Sequence, residues 1–393
     1  MTARTLAGAT ILQLVPSLSA DATGHAAMDI AVTLIQAGAR VIIGGDGGPL
    51  VGELRALGGE YLPMKKETFN PIQLKGNARF LHEYILAERI DLVHAHSAAA
   101  AWSALAAVDK LPVWLVTSFP DHLAADTWLR RTYNGVLTRG DRVIAPSSFV
   151  SLTVLDHFKL PPEKIVVIPR SVDTAVFNPA AVPTERIGTV RRGWGVLPDT
   201  RVVVVPGPLT AANGQMTMID AIPLLAATDR NMTFVLAGDD RSDLRYTRAL
   251  RRNARDKGVD TLIRFAGHSK DMPAVYGAAD VIAIPAMVPP MTGRAAAEAQ
   301  AMGRPVVASA TGVLPENLLF PPRMPEDLRT GWVVRPGNVG ELAEAIAAAL
   351  ALDRVAYEAF SARARQFAEH VFSPKSVAEA VRGVYTSLLA RDA

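Results

Sequence analysis

Short apolar runs rich in Val, Ile and Leu recur along the chain, and between them apolar residues return every three or four positions. The first pattern predicts strands and the second helices. One series of strand-like runs covers residues 11–15, 41–43, 92–93, 113–116, 143–145 and 165–168. A second covers residues 202–205, 234–237, 262–265, 281–284, 306–308 and 332–334. Continuous apolar runs are what strands covered on both faces need. Strands alternating with helices predict parallel sheets with helices on both sides. The expected fold is therefore α/β, with two Rossmann-like doubly wound domains. In such sheets ligands sit beyond the carboxyl ends of the strands, so two facing sheets are expected to share one interdomain cleft.

The two series break where Pro179, Pro183, Pro198 and the Arg191-Arg192 pair fall in an irregular stretch. This predicts an N-terminal domain over 1–180, a linker over 181–200 and a C-terminal domain over 201–372. An amphipathic helix follows over 373–393, with no strand after it. At the start, Arg4, the apolar stretch 6–18 and Ala20-Asp21-Ala22 loosely resemble a secretory leader. The preferred reading is a first buried strand, because a helical run at 28–34 leads straight to the next one. No apolar run reaches the ~18 residues that span a bilayer. The run 98–108 reads as a core helix.

Composition narrows the chemistry. The chain has 393 residues, 49% hydrophobic and 20% charged, with a formal net charge of +3. That length suits two domains. The basic residues are spread along the chain, so nucleic acid is not an expected partner. There is no cysteine, which excludes disulfides, thiolate metal sites and a thiol nucleophile. This fits a reducing compartment.

Four segments carry more than fold class. They are Val167-Ile168-Pro169-Arg170-Ser171-Val172-Asp173; Gly207-Pro208-Leu209 running to Asn213-Gly214-Gln215; Gly267-His268 with Asp271-Met272-Pro273 and Tyr276; and Gly293-Arg294 leading to Glu298-Ala299-Gln300-Ala301-Met302-Gly303-Arg304-Pro305. In this order and spacing they resemble the retaining glycosyltransferases of family 4, with GT-B architecture. The resemblance covers nearly the whole chain. It implies transfer of a sugar from a nucleotide diphosphate with retention of configuration, usually without a metal. No cofactor is expected beyond a nucleotide-sugar ligand. It also implies that the last helix crosses back onto the N-terminal domain. The implied setting is envelope polysaccharide or lipopolysaccharide synthesis, cytoplasmic or peripheral at the inner membrane. A glycan or lipid-linked acceptor, or a partner transferase, is implied with it.

The leaving diphosphate gains charge in the transition state, and without a metal fixed donors must stabilise it. The resemblance expects an Arg and a Lys after the first strand of the second domain. Here Pro208 stands at the Arg position and Asn213 at the Lys position. Proline offers no contact to an anion, and asparagine carries no charge. Of the expected Glu pair, Pro290 replaces the member on the donor sugar, while Glu298 remains to hold the ribose. The catalytic His position in the turn Thr117-Ser118-Phe119-Pro120 is Phe119, with His122 nearby as a partial replacement. The expected Gly-Gly loop falls on Asp21-Ala22, where a carboxylate would repel phosphate; Gly24 is placed to shift that loop. The frame residues Gly207, Gly214 and Gly293 remain.

Other candidates are weighed against plainer roles. Arg170 and Arg294 fall beside the expected cleft and would restore positive charge there, or serve as scaffold. Asn213-Gly214 precedes a helix whose backbone N–H groups suit a phosphate, or simply form a cap. His94 and His96 share one side of a strand end, suited to acceptor contact; as metal ligands they lack a third partner. Arg248, Arg251, Arg252 and Arg255 form a basic stripe, either a solvated face or a docking surface. Trp128, Leu129, Arg130, Arg131 and Tyr133 form a second surface candidate.

Each missing electrostatic donor costs on the order of 10²–10³ in rate, and such losses do not add when groups act together. The leading expectation is a family member with donor chemistry lost or strongly altered, a pseudoenzyme, nucleotide-binding module or partner subunit. The alternative is an active retaining enzyme using Arg170, Arg294, Asn213 and Glu298.

Overall fold

The structure, a computed structural model, describes residues 5–64, 70–119, 128–241 and 243–390; of Ala22, Pro71 and residues 128–130 it describes only the backbone. The chain divides into two units. The first runs from Met1 to Ser171 and takes in Pro374–Ala393, and the second spans Val172–Ser373.

The first unit holds strands β1 (Thr10–Ser17), β2 (Arg40–Asp46), β3 (Glu60–Pro63), β4 (Leu92–Ala95), β5 (Trp114–Ser118), β6 (Arg142–Ala145) and β7 (Ile165–Val167). They form a parallel sheet in the order β3-β2-β1-β4-β5-β6-β7. Ile11 on β1 pairs with Val41 on one side and Leu92 on the other. The apolar runs become the centre of the sheet because both faces are covered. Helix Ala22–Gln36 lies on one face, and helix Pro374–Leu389 packs against it. Tyr385, Leu388, Met28, Leu34 and Ile11 join one buried cluster there. Each such side chain contributes roughly 1.5–3 kcal/mol through burial.

The second unit holds β8 (Arg201–Pro206), β9 (Met232–Ala237), β10 (Ile263–Phe265), β11 (Val281–Ile284), β12 (Val306–Ser309) and β13 (Gly331–Val334). The order is β10-β9-β8-β11-β12-β13, all parallel. Val203 on β8 faces Phe234 and Val281 on its two neighbours. Apolar clusters lie on both faces of this sheet.

Two expectations need correction. The stretch 181–200, expected as a linker, contains helix Thr184–Gly193 and belongs to the second unit. Pro183 stands immediately before that helix, where a proline starts a helix without losing a hydrogen bond. Strand β3 was not foreseen. Its burial runs exposed, half-buried, buried, exposed, so it carries little apolar signal at the sheet edge.

Candidate functional site

In the second unit the candidates gather at the carboxyl ends of the adjacent strands β8 and β11. The chain leaves β8 through Gly207, whose φ of 114° suits glycine. Pro208 follows, exposed to solvent. Its carbonyl oxygen accepts from Asn213 Nδ2 at 2.7 Å and from Gln215 Nε2 at 2.9 Å. The amide expected at a diphosphate is therefore bonded to its own loop. Gly214 has φ of 71° and caps helix Gln215–Ala226. A Cβ there would sit 1.8 Å from the Pro285 carbonyl oxygen. The loop after β8 is thus pressed against the loop after β11, and Met287 N bonds to Ala212 O at 2.8 Å. At the head of the helix, Met216 N donates to the Tyr246 hydroxyl at 3.1 Å. That hydroxyl already occupies one N–H that a phosphate would use.

Helix Arg294–Ala301 starts at Gly293, where a Cβ would collide with the buried Asn317 side chain at 2.4 Å. Glu298 lies one turn in and is 5% exposed. Arg294 Nε donates to its Oε1 at 2.6 Å, and the Tyr276 hydroxyl donates to Oε2 at 3.0 Å. Burial raises the Glu298 carboxyl above its usual range, against the opposing pull of Arg294 and the two hydrogen bonds. Burial and the adjacent carboxylate push Tyr276 well up, so it stays a donor. Pro290 accepts from Val313 N at 3.2 Å and sits against Gly312, whose φ is 59°.

In the first unit, Asp21 caps helix Ala22–Gln36 by accepting from Gly24 N at 2.9 Å. The close approach to backbone occurs at Gly24 instead, where a Cβ would lie 2.0 Å from Ser19 O. The carboxylate expected to repel a phosphate is thus a helix cap, a role that favours Asp. Phe119 is buried, with its N–H on Ile144 O at 2.9 Å. His122 lies outside the described residues.

His94 and His96 leave β4 on the same side, with ring centroids 3.9 Å apart and planes tilted by 37°. His94 shares hydrogen bonds with the Tyr385 hydroxyl through Nδ1 at 2.6 Å and with Ser118 through Nε2 at 2.7 Å. His96 Nε2 meets Gln13 Oε1 at 3.0 Å, and Gln13 in turn donates to Ala27 O. Burial, helped by His96 and Arg170, drives His94 well below the ordinary histidine value. Burial and then Arg170 lower His96 to about 3. Both rings are neutral at neutral pH. Arg170 donates to Phe119 O at 3.3 Å. Arg170 and Arg294 therefore belong to different units and serve different clusters. No group of three metal-ligating side chains occurs among the described residues.

The surface candidates are less specific. Arg251 lies 3.9 Å over the Phe265 ring and 3.8 Å from Asp240. Arg131 donates to His157 O at 2.6 Å. Tyr246, Asn317 and Tyr385 were not singled out from the sequence, and the contacts that Tyr276 makes with Glu298 and Gln13 makes with His96 were not expected. Each meets its partner across the fold, where no spacing signal exists.

Two family models match the chain: one described as Glycosyltransferase Family 4 over residues 24–176, and one described as Glycosyl transferases group 1 over residues 200–351. A D-inositol 3-phosphate glycosyltransferase of Corynebacterium aurimucosum is 30% identical over 233 residues, covering 58% of this chain and 51% of that protein. The chain spans about half the length of the curated relatives it matches. The crystal structure of a glycosyltransferase from Rickettsia africae aligns with TM-score 0.79 and 26% identity over 97% of this chain and 99% of that one. HepE of Anabaena, crystallised with UDP, aligns with TM-score 0.74 and 20% identity over 97% of this chain and 100% of that one.

Proposed function

Because the chain belongs to the family 4-like glycosyltransferases of GT-B fold, we propose that it is a member whose donor site keeps its frame and lacks its cation clamp. It binds the nucleoside part of a nucleotide sugar and transfers the sugar poorly or not at all. The observation that carries this reading is the bond from Asn213 Nδ2 to the Pro208 carbonyl oxygen. Positions expected to supply two positive charges supply none, and the one polar group present already has a partner within its loop. Electrostatic stabilisation is the largest single term in catalysis of this kind, so its loss outweighs the retained geometry. Glu298, fixed by Tyr276 and Arg294, is the retained ribose anchor.

The protein then serves as a partner or regulator of a working transferase in envelope glycan synthesis. Its place is the cytoplasmic side, with peripheral contact to the inner membrane. The basic face of helix Leu244–Asp256 suits such contact. No helix among the described residues is long and apolar enough to cross a membrane.

The test is thermal shift with UDP- and GDP-sugars, followed by assay of slow hydrolysis for any that bind. Weak stabilisation without hydrolysis supports the proposal. Tight binding with turnover would instead establish an active retaining transferase working through Arg170, Arg294, Asn213 and Glu298.

A further inference from the structure

Helix Leu244–Asp256 of the second unit concentrates charge on one face. Its 13 residues hold five arginines and one acid, Asp256, so the helix alone is more positive than the whole chain, whose formal charge is +3. Thr247, Leu250 and Ala254 turn inward and are buried. Arg251 is set apart, over the Phe265 ring and beside Asp240. Arg245, Arg248, Arg252 and Arg255 follow one another three or four positions apart, which sets them in a row on the outward side. All four are exposed. With a rise of about 1.5 Å per residue, the row is about 15 Å long.

Among the described residues, these four guanidinium groups make no ion pair or hydrogen bond. The acids nearby are committed elsewhere. Asp240 takes Arg251, Asp243 caps the helix by accepting from Tyr246 N, and Asp220 takes Lys257 and Asn253. Like charges at this spacing repel and weaken a helix, and an external anionic partner relieves that repulsion. The make-up of the face says which kind of partner. A protein partner draws its affinity from buried aromatic and apolar anchors, and the row has none between its arginines. Leu244, at the first position of the helix, is its one large exposed aliphatic side chain. Each guanidinium is a planar fork that matches phosphate oxygens. A flat layer of phosphates calls for a row of such forks and for no pocket.

We propose that this face docks the second unit on an anionic phospholipid surface, with Arg245, Arg248, Arg252 and Arg255 on the headgroup phosphates. The apolar side of the helix is already used by the core of the unit, so the association is electrostatic and does not insert the helix. The proposal rests on the peripheral contact inferred above and assigns that contact a surface.

The test is co-sedimentation of the full chain with vesicles of phosphatidylcholine alone and of equal parts phosphatidylcholine and phosphatidylglycerol. The chain binds the mixed vesicles and not the neutral ones. Binding fades as salt rises from about 0.1 M to 1 M, where the screening length falls from about 10 Å to about 3 Å. Arg248→Gln with Arg252→Gln weakens it roughly 25-fold, at about fivefold per arginine near an anionic surface, with an unchanged melting temperature. Arg79→Gln with Arg354→Gln removes the same charge from exposed positions elsewhere and binds as wild type does. If the Arg248→Gln, Arg252→Gln chain binds as well as wild type, the proposal is overturned while peripheral contact stands. If wild type binds neither vesicle, both fall. Capture of poly-glutamate through these arginines without vesicle binding would assign the face to an acidic protein and would also overturn the proposal. The donor site is read separately, by nucleotide titration without vesicles.

Discussion

Asn213 and Pro208 are joined by a 2.7 Å hydrogen bond from side-chain amide to carbonyl oxygen. They stand where the resemblance expects Lys and Arg, so the loop after β8 is closed on itself. Gln215 Nε2 reaches the same oxygen, which keeps the closure intact if one donor is lost.

Restoring the charges should restore the grip on a diphosphate. The triple change Pro208→Arg, Asn213→Lys and Pro290→Glu is expected to tighten UDP or GDP binding by tenfold or more, since hydrogen bonds to charged groups contribute about 1.5–3 kcal/mol each. Calorimetric titration of both proteins checks this. An unchanged affinity would mean that positions 208 and 213 do not face the diphosphate.

Glu298 makes stability depend on pH. Its carboxyl is raised by burial in the folded chain. The folded state thus holds the proton more tightly than the unfolded one. Stability from this group is highest below the unfolded value and falls as pH rises through the folded value. Glu298→Gln keeps an acceptor for Arg294 and removes the titration. Its melting temperature should decline less than that of wild type as pH rises above about 4.3, the ordinary glutamate value. Parallel melting curves across that range would contradict the assignment.

Tyr385→Phe tests the tie between the C-terminal helix and β4. It leaves His94 Nδ1 buried without its partner at 2.6 Å. The expected cost is about 1–3 kcal/mol, or roughly 2–4 °C in Tm per kcal/mol for a domain of this size. A change under 1 °C would show that the hydroxyl contact contributes nothing.

Gly214→Ala tests the packing of the two loops. The residue sits at φ of 71°, and its Cβ would lie 1.8 Å from Pro285 O. The left-handed backbone alone costs about 1–2 kcal/mol, and the collision adds to it. Denaturant unfolding should show a loss exceeding that figure, and full stability would refute the close approach.

The sheets were legible because strands buried on both faces are continuous apolar runs, as at 202–205 and 306–308. Strand β3 was not, because only Leu62 of its four residues is buried. Pro179, Pro183 and Pro198 read as punctuation, yet Pro183 leads directly into a helix. At the candidate site, motif and spacing single out Glu298 and Asn213. The contacts they make, with the Tyr276 hydroxyl and the Pro208 carbonyl, are not legible there, since side-chain direction decides them. Asp21 is the instructive case. Its charge suggested repulsion of a ligand, and its position at a helix start makes it the cap.

The most direct measurement compares UMP with UDP, GMP with GDP and AMP with ADP by calorimetric titration. A clamp of cations makes the second phosphate count; a clamp without them does not. Affinities within about threefold are expected for each pair, less than about 1 kcal/mol. A diphosphate bound about a hundredfold more tightly than its monophosphate, near 2.7 kcal/mol, would contradict it.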